Sequence, residues 1–140
     1  MKLSFDNKKT LVDELRYVAS GLLKKESEIP TKLYVYSAAH AVVNRVFNIE
    51  FDPDLILIHA ILQNTYIEIR NAFDNIASGR EKVIMIPEGL FNFLAQSLQD
   101  LADVIAKDGD VTPHLKKIAI AAYATTGNGY YLYQKGILKL

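Results

Sequence analysis

The chain has 140 residues, the length of one domain, and half of them are hydrophobic, which is enough apolar surface for a buried core. Its 16 Lys and Arg residues balance 16 Asp and Glu residues, so the overall charge gives no reason to expect binding to nucleic acid or to an anionic membrane. Because the chain contains no cysteine, a disulfide framework, a zinc site with cysteine ligands and a cysteine nucleophile are excluded.

The same composition predicts a cytoplasmic protein made of a single helical domain over residues 1–140. The N-terminal segment MKLSFDNKKT lacks the apolar run of a signal peptide. No stretch approaches the ~20 uninterrupted apolar residues of a membrane span, so we expect no membrane partner. No internal repeat, low-complexity segment or linker divides the chain.

Two helices are predicted in the first third of the chain. The first should cover about residues 7–26, with Asp6 as its N-cap. Its apolar face comprises Leu11, Val12, Leu15, Val18, Ala19, Leu22 and Leu23. Pro30 breaks the chain, and Thr31 can cap a second helix over about residues 32–48. The β-branched residues of this second segment would also suit a strand, but their spacing lacks strand alternation and favours a helix.

Residues 52–79 predict a central helix around which the other helices pack. Asp52 can cap it, Pro53 suits its first turn, and Gly79 is typical of a C-terminal stop. Its broad apolar arc comprises Leu55, Ile58, Ile61, Leu62, Tyr66, Ile69, Ala72, Phe73 and Ile76. A thinner second stripe comprises Ile56, Ala60 and Ile67. A helix with one solvent-facing side needs only one apolar face, so this second stripe predicts contact with a second layer of neighbours or with a second subunit.

The segment after the central helix leads into a further amphipathic helix. Residues 83–86, which end at Pro87, fit either a short strand or an extended connector. The following helix should cover about residues 88–107. Its inward face comprises Leu90, Phe91, Phe93, Leu94, Leu98, Leu101, Val104 and Ile105.

The C-terminal third predicts one more helix and an ambiguous tail. A turn at residues 108–110 precedes the fifth helix, which we expect Thr112 to cap, with Pro113 in its first turn. Its many small residues indicate tight packing in the centre of a bundle. Residues 126–129, Thr-Gly-Asn-Gly, predict a turn. Residues 130–140 fit a sixth helix or a strand paired with residues 83–86, and the helix is favoured.

Together these elements predict an all-α, single-domain bundle of five or six helices around the central helix at about residues 53–78. A candidate site lies on the second predicted helix, where His40, Asn44 and Arg45 fall within about two turns. A histidine beside an amide and a cation can move a proton or bind an anion. Tyr66 of the central helix is a further candidate for the lining of a pocket between helices.

No motif indicates a metal or a cofactor. The spacing HExxH and the twelve-residue calcium loop are both missing, and the glycines near residue 127 do not form a phosphate-binding loop. No nucleophile motif of the G-x-S-x-G type occurs either. We therefore expect no metal site and no cofactor, and the sequence leans away from an enzyme.

The layout of several helices in about 140 residues resembles the HEPN group of small helical proteins associated with nucleotides and RNA. The catalytic mark of that family is an Arg followed after four to six residues by a His. Here His40 precedes Arg45, and neither Arg70 nor Arg80 is followed by a His at that distance. The resemblance therefore covers the layout only, and it implies no catalytic residues for this chain.

These patterns lead to three hypotheses about function. The first is an interaction or structural protein that self-associates as a homodimer, because of the second stripe of the central helix and the tyrosines of the tail. The second is an enzyme or binder of a small molecule with a site near His40. The third is a protein associated with nucleotides or RNA, which predicts one face that collects the cations Lys24, Lys25, Lys32 and Arg45.

Overall fold

A computed structural model of the chain describes residues 1–23, 46, 48, 50–79 and 86–140. These residues form five helices and no strand: α1 (Phe5–Leu23), α2 (Pro53–Ala77), α3 (Glu88–Ala106), α4 (Thr112–Ala124) and α5 (Gly127–Gln134). The predicted all-α bundle is confirmed. The predicted second helix at residues 32–48, apart from Val46 and Asn48, and the segment at residues 83–86, apart from Ile86, lie outside the described residues.

Helices α1 and α3 share the most extensive packing among the described helices. Leu11, Leu15 and Val18 of α1 are completely buried, because they recur every three or four residues on one side of the helix. Leu94 and Leu98 of α3 are almost completely buried as well. Two ion pairs at the rim of this contact, between Lys8 and Asp108 and between Arg16 and Asp103, both measure 3.0 Å.

Both ends of α2 form as the sequence predicts. The N–H of Asp54 donates to Oδ1 of Asp52 at 2.9 Å, so the Asp52 side chain satisfies one of the free donors of the first turn. Pro53 is the first helical residue. At the other end, Gly79 follows the helix with a φ of 76°, a left-handed conformation that costs glycine little.

Among the described helices, α2 has neighbours on one side only. Its closest helical neighbours in the described chain are α4 and α5, and Leu55, Ile58 and Leu62 on that side are buried. In the second stripe, Ile56 and Ile67 are each 44 % exposed, and Ala60 is exposed as well. No second layer among the described residues covers the stripe, so contact with a second layer of the same chain stays a prediction. Contact with a second subunit stays a prediction as well.

The start of α4 differs from the prediction. Thr112 is the first residue of the helix and not its cap, since the buried Val111 occupies the N-cap position. The N–H of Thr112 donates to Oδ1 of Asp110 at 3.1 Å. A carboxylate two residues upstream therefore satisfies the donor, and the predicted capping role of Thr112 is wrong. Pro113 does lie in the first turn.

The sequence predicts a turn at residues 126–129, but these residues begin α5 instead. Thr126 is the N-cap, and its Oγ1 accepts a hydrogen bond from the N–H of Gly129 at 3.1 Å. A Cβ at Gly129 would lie 1.7 Å from the carbonyl oxygen of Tyr123, so the end of α4 and the start of α5 can approach this closely only because the residue is glycine. The tail is helical as far as Gln134, which confirms the favoured prediction for its first part.

Candidate functional site

An open groove of about 500 Å³ lies between α2 and α4. Its described lining comprises Ala60, Ile61, Gln63, Asn64, Ile67, Ala119, Tyr123 and Thr126. Two members of the second stripe, Ala60 and Ile67, belong to this lining. The groove and the stripe therefore form one continuous surface on the open side of α2.

Helical spacing explains why these side chains meet. Ala60, Asn64 and Ile67 are separated by four and three residues, so they line up along one face of α2. Ala119 and Tyr123 are separated by four residues on α4. The short side chains of Ala60 and Ala119 leave the space between the two helices unfilled, which creates the groove.

One end of the groove is rigid. Oγ1 of Thr126 donates to the carbonyl oxygen of Tyr123 at 2.7 Å and accepts from the N–H of Gly129 at 3.1 Å. Thr125, the residue before, donates its hydroxyl to the carbonyl oxygen of Ala122 at 2.6 Å. Both threonines are almost completely buried. The junction between α4 and α5 is thus held by side-chain hydrogen bonds, which satisfy carbonyl groups at the end of α4.

The described lining carries no ionisable carboxylate or cationic side chain. Its accessible polar groups are the exposed amides of Gln63 and Asn64 and the phenol of Tyr123, since the hydroxyl of Thr126 is buried and already hydrogen-bonded. Amides and hydroxyls both donate and accept hydrogen bonds. The groove therefore suits an uncharged, mainly apolar occupant whose edges carry a few polar groups.

Of the four candidate site residues, the structure describes only Tyr66. This tyrosine is half-buried and packs against the core, and it does not belong to the lining of the groove. Its hydroxyl accepts a hydrogen bond from Nη1 of Arg70 at 3.2 Å. His40, Asn44 and Arg45 lie outside the described residues, so a site around them stays a prediction.

Arg70 marks the polar end of the open face of α2. Its hydrogen bond to Tyr66 and the nearby carboxylate of Asp74 raise the pKa of the guanidinium, which keeps the side chain positively charged at any physiological pH. Nε of Arg70 lies 3.5 Å from Oδ2 of Asp74, and both side chains are about half exposed. An exposed pair of this kind adds little to helix stability, because water screens the two charges.

The described surface mixes charges of both signs. Lys8, Lys9, Arg16, Arg70 and Lys117 each lie 2.6–3.8 Å from a carboxylate. Within the described ranges no group of three His, Asp or Glu side chains could hold a metal ion. The cations that the RNA hypothesis would bring together, Lys24, Lys25, Lys32 and Arg45, lie in the part of the chain that is not described.

The sequence did not indicate the groove. The small residues of the fifth predicted helix predict the packed centre of a bundle, whereas Ala119 is exposed and lines the open space. The signal for the groove is a pair of small residues, Ala60 and Ala119, which lie on two different helices. Only the pairing of α2 with α4 shows that these positions face the same gap.

No family model, curated protein or solved structure matches the chain. None of the helices in the described ranges is long and apolar enough to cross a membrane. Function is therefore inferred from the side chains themselves.

Proposed function

We propose that this protein is a self-associating structural or interaction protein that forms a homodimer through the open face of α2. The observation that carries this proposal is the exposure of three large aliphatic side chains on α2. Ile56 and Ile67 are 44 % exposed and Leu57 is 52 % exposed. Single exposed aliphatic residues are common, but several exposed aliphatic side chains on one helix beside a groove favour a protein interface.

The distribution of charge along α2 supports the same surface. From Leu55 to Ile67 the sequence contains no Asp, Glu, Lys or Arg, although this stretch includes the open side of the helix. Charged residues begin again at Glu68 and Arg70. Depletion of charge is the feature that distinguishes the core of an interface from ordinary protein surface.

The proposal is tested by the mass of the protein in solution. We expect light scattering at high micromolar concentration to give about twice the 15.7 kDa mass of one chain for the unmodified protein. Ile67→Glu should shift the equilibrium to the monomer and raise the dimer Kd about tenfold or more, because it buries an unpaired charge. Circular dichroism should show that this variant is still folded, since Ile67 is open to solvent in the single chain.

Tyr17→Glu is the matched control. Tyr17 is 61 % exposed but lies on α1, which does not pack against α2, so the same charge should leave the dimer intact. A strict monomer at high micromolar concentration in the unmodified protein would end the proposal.

In this proposal the protein acts in the cytoplasm, which the cysteine-free sequence supports, and it acts by assembly and not by catalysis. The alternatives are a small-molecule enzyme with a site near His40 and a nucleotide- or RNA-associated protein. Both depend on residues outside the described ranges. Neither gains support from the groove, whose described lining lacks charge.

A further inference from the structure

Asn128 is the one asparagine of the chain that a glycine follows. It is exposed to solvent in the first turn of α5. In an Asn-Gly pair the backbone nitrogen of the glycine can attack the side-chain amide of the asparagine, because glycine has no side chain that hinders the approach. This pair is therefore a chemically reactive position that neither the groove nor the open face of α2 explains.

The reaction is a deamidation through a cyclic imide. The backbone nitrogen of Gly129 gives up its proton to a base in the solvent and forms a bond to Cγ of Asn128, while the bond from Cγ to the amide nitrogen breaks and that nitrogen leaves as ammonia. Water then opens the imide ring. Breaking the new bond at Cγ leaves an aspartate, whereas breaking the bond to the main-chain carbonyl carbon leaves an isoaspartate, in which the chain continues through Cγ.

The folded junction between α4 and α5 withholds the attacking nitrogen. The N–H of Gly129 donates to Oγ1 of Thr126 at 3.1 Å, and both residues are buried. The same Oγ1 donates to the carbonyl oxygen of Tyr123 at 2.7 Å, which fixes the hydroxyl in place. A base in the solvent therefore cannot reach the proton of Gly129 while the junction is closed.

The backbone of α5 adds a second barrier. Closure of a five-membered imide ring requires the ψ angle of Asn128 to leave the helical range, whereas this residue is part of the helix. Both barriers disappear together when the first turn of α5 unwinds. Local openings of this kind at helix ends require less free energy than global unfolding.

We infer that Asn128 is a site of spontaneous deamidation whose rate is set by the opening of the junction between α4 and α5. Thr126 is the positioning residue, because its hydroxyl holds the nitrogen of Gly129 away from reaction in the closed junction. This inference goes beyond the proposed self-association and does not depend on it.

The two products have opposite effects on the junction. An aspartate at position 128 places a negative charge in the first turn of α5, near the positive end of the helix dipole, where it is favourable. An isoaspartate adds one carbon atom to the main chain next to Gly129, where even a Cβ would lie 1.7 Å from the carbonyl oxygen of Tyr123. The isoaspartate product must therefore force α5 away from α4.

Peptide mapping by mass spectrometry measures the loss of the Asn128 amide over time in the full-length protein at neutral pH. The folded protein should lose the amide about tenfold more slowly, or slower still, than the same chain unfolded in urea, because the open junction is a minor population. Equal rates in the two states would overturn the inference, since the closed junction would then give no protection.

Thr126→Ala tests the positioning role. Loss of the capping hydroxyl should raise the deamidation rate of the folded protein about fivefold, and Thr126→Ser, which keeps a hydroxyl, should restore the slow rate. Val12→Ala is the control for a general loss of stability, because Val12 is buried in α1, which does not pack against α5. An unchanged rate in Thr126→Ala, or an equal increase in Val12→Ala, would overturn the inference.

Asn128→Gln assigns the isoaspartate to its source. The chain has one other dipeptide that can form the same imide, Asp108-Gly109, but the N–H of Gly109 donates to the carbonyl oxygen of Val104 at 2.9 Å, and an ionised carboxylate is a poorer electrophile than an amide. Enzymatic methylation of isoaspartate in aged protein should therefore give a signal that Asn128→Gln abolishes. A signal of the same size in that variant would place the isoaspartate elsewhere and overturn the inference.

Discussion

Helices α3 and α2 are both long and rich in apolar residues, but the fold uses their faces differently. Nine residues of α3 are buried, because this helix lies between α1 and α4 and presents one apolar face to both. Helix α2 buries Leu55, Ile58 and Leu62 while it leaves Ile56, Leu57 and Ile67 open. Apolar content along a helix therefore indicates that surface must be covered, and it does not indicate whether the same chain covers it.

The largest expected contrast between the two helices is in stability. Leu98→Ala should lower the free energy of unfolding by about 2–5 kcal/mol, because Leu98 is 1 % exposed and its removal leaves a cavity against Leu62 and Ile118. Ile67→Ala should change the stability of the monomer by less than about 0.5 kcal/mol. Urea denaturation at protein concentrations below the dimer Kd measures the change in the free energy of unfolding for both variants.

A large loss of monomer stability in Ile67→Ala would show that the open face of α2 is covered within the chain. The contrast between α2 and α3 would then be lost. The same variant measured at high concentration gives the part of the stability that depends on association.

The next effect concerns the junction that closes the groove. Gly129→Ala should cost about 1–3 kcal/mol, because its Cβ would collide with the backbone oxygen of Tyr123 and force α5 away from α4. Gly89→Ala is the matched control: a Cβ there meets nothing within 4 Å, and alanine is the better helix former, so this variant should be neutral or slightly more stable. Thermal unfolding of the two variants gives the comparison. Equal midpoints would mean that the junction adjusts without strain.

A smaller effect separates Thr126, which caps α5, from Thr112, which the sequence predicted to be a cap. Thr126→Ala should cost about 1 kcal/mol, since its hydroxyl caps α5 through the N–H of Gly129. Thr112→Ala should be close to neutral, because Asp110 already accepts the N–H of Thr112. Chemical denaturation of both variants measures the difference. A larger loss at Thr112 would restore the capping role that the sequence suggested.

The smallest expected effect is a dependence of stability on pH at the N-terminus of α1. Hydrogen bonds from the Asn7 amide and from the backbone N–H of Ser4 hold the pKa of Glu50 below its usual value of 4.5. The ionised carboxylate therefore stabilises the fold above that value, and this contribution is lost as the pH falls through the lower pKa of the folded state.

Glu50→Gln removes the titrating group and tests this dependence. The urea midpoint of the unmodified protein should fall more steeply than that of Glu50→Gln as the pH drops from 5 to 2, the range in which a carboxylate of lowered pKa loses its charge. Parallel curves would show that Glu50 does not hold the N-terminus of α1 in solution.

Local signals in the sequence were sufficient for the fold class and for both ends of α2, whereas Asp6, predicted as the cap of α1, lies inside a helix that begins at Phe5. Asp52 and Gly79 act within one turn of the residues they terminate, so their roles could be inferred without knowledge of any other helix. The prediction failed where a nearby group competes. The N–H of Thr112 is bound by the Asp110 carboxylate, so Thr112 does not act as the cap. Gly127 and Gly129 belong to a helix and not to a turn, because Thr126 caps that helix.

The candidate site was less predictable for a different reason. The groove lies where α2 and α4 meet, and no pattern within either helix states which helix will be its neighbour. Gln63, Asn64 and Ala119 belong to no recognisable motif. They line a site only because the packing of α2 against α4 brings them to the same groove. The sequence did identify the second stripe of α2, but it did not show whether the chain would cover it.

By itself, the sequence determined that this protein is a helical bundle and that α2 carries more apolar surface than one covered side requires, because helical periodicity and caps are properties of neighbouring residues. Only the tertiary structure decided which of the two apolar faces is buried and that a groove opens beside the other. The physical reason is that burial depends on contacts between residues far apart in the chain, whereas periodicity does not.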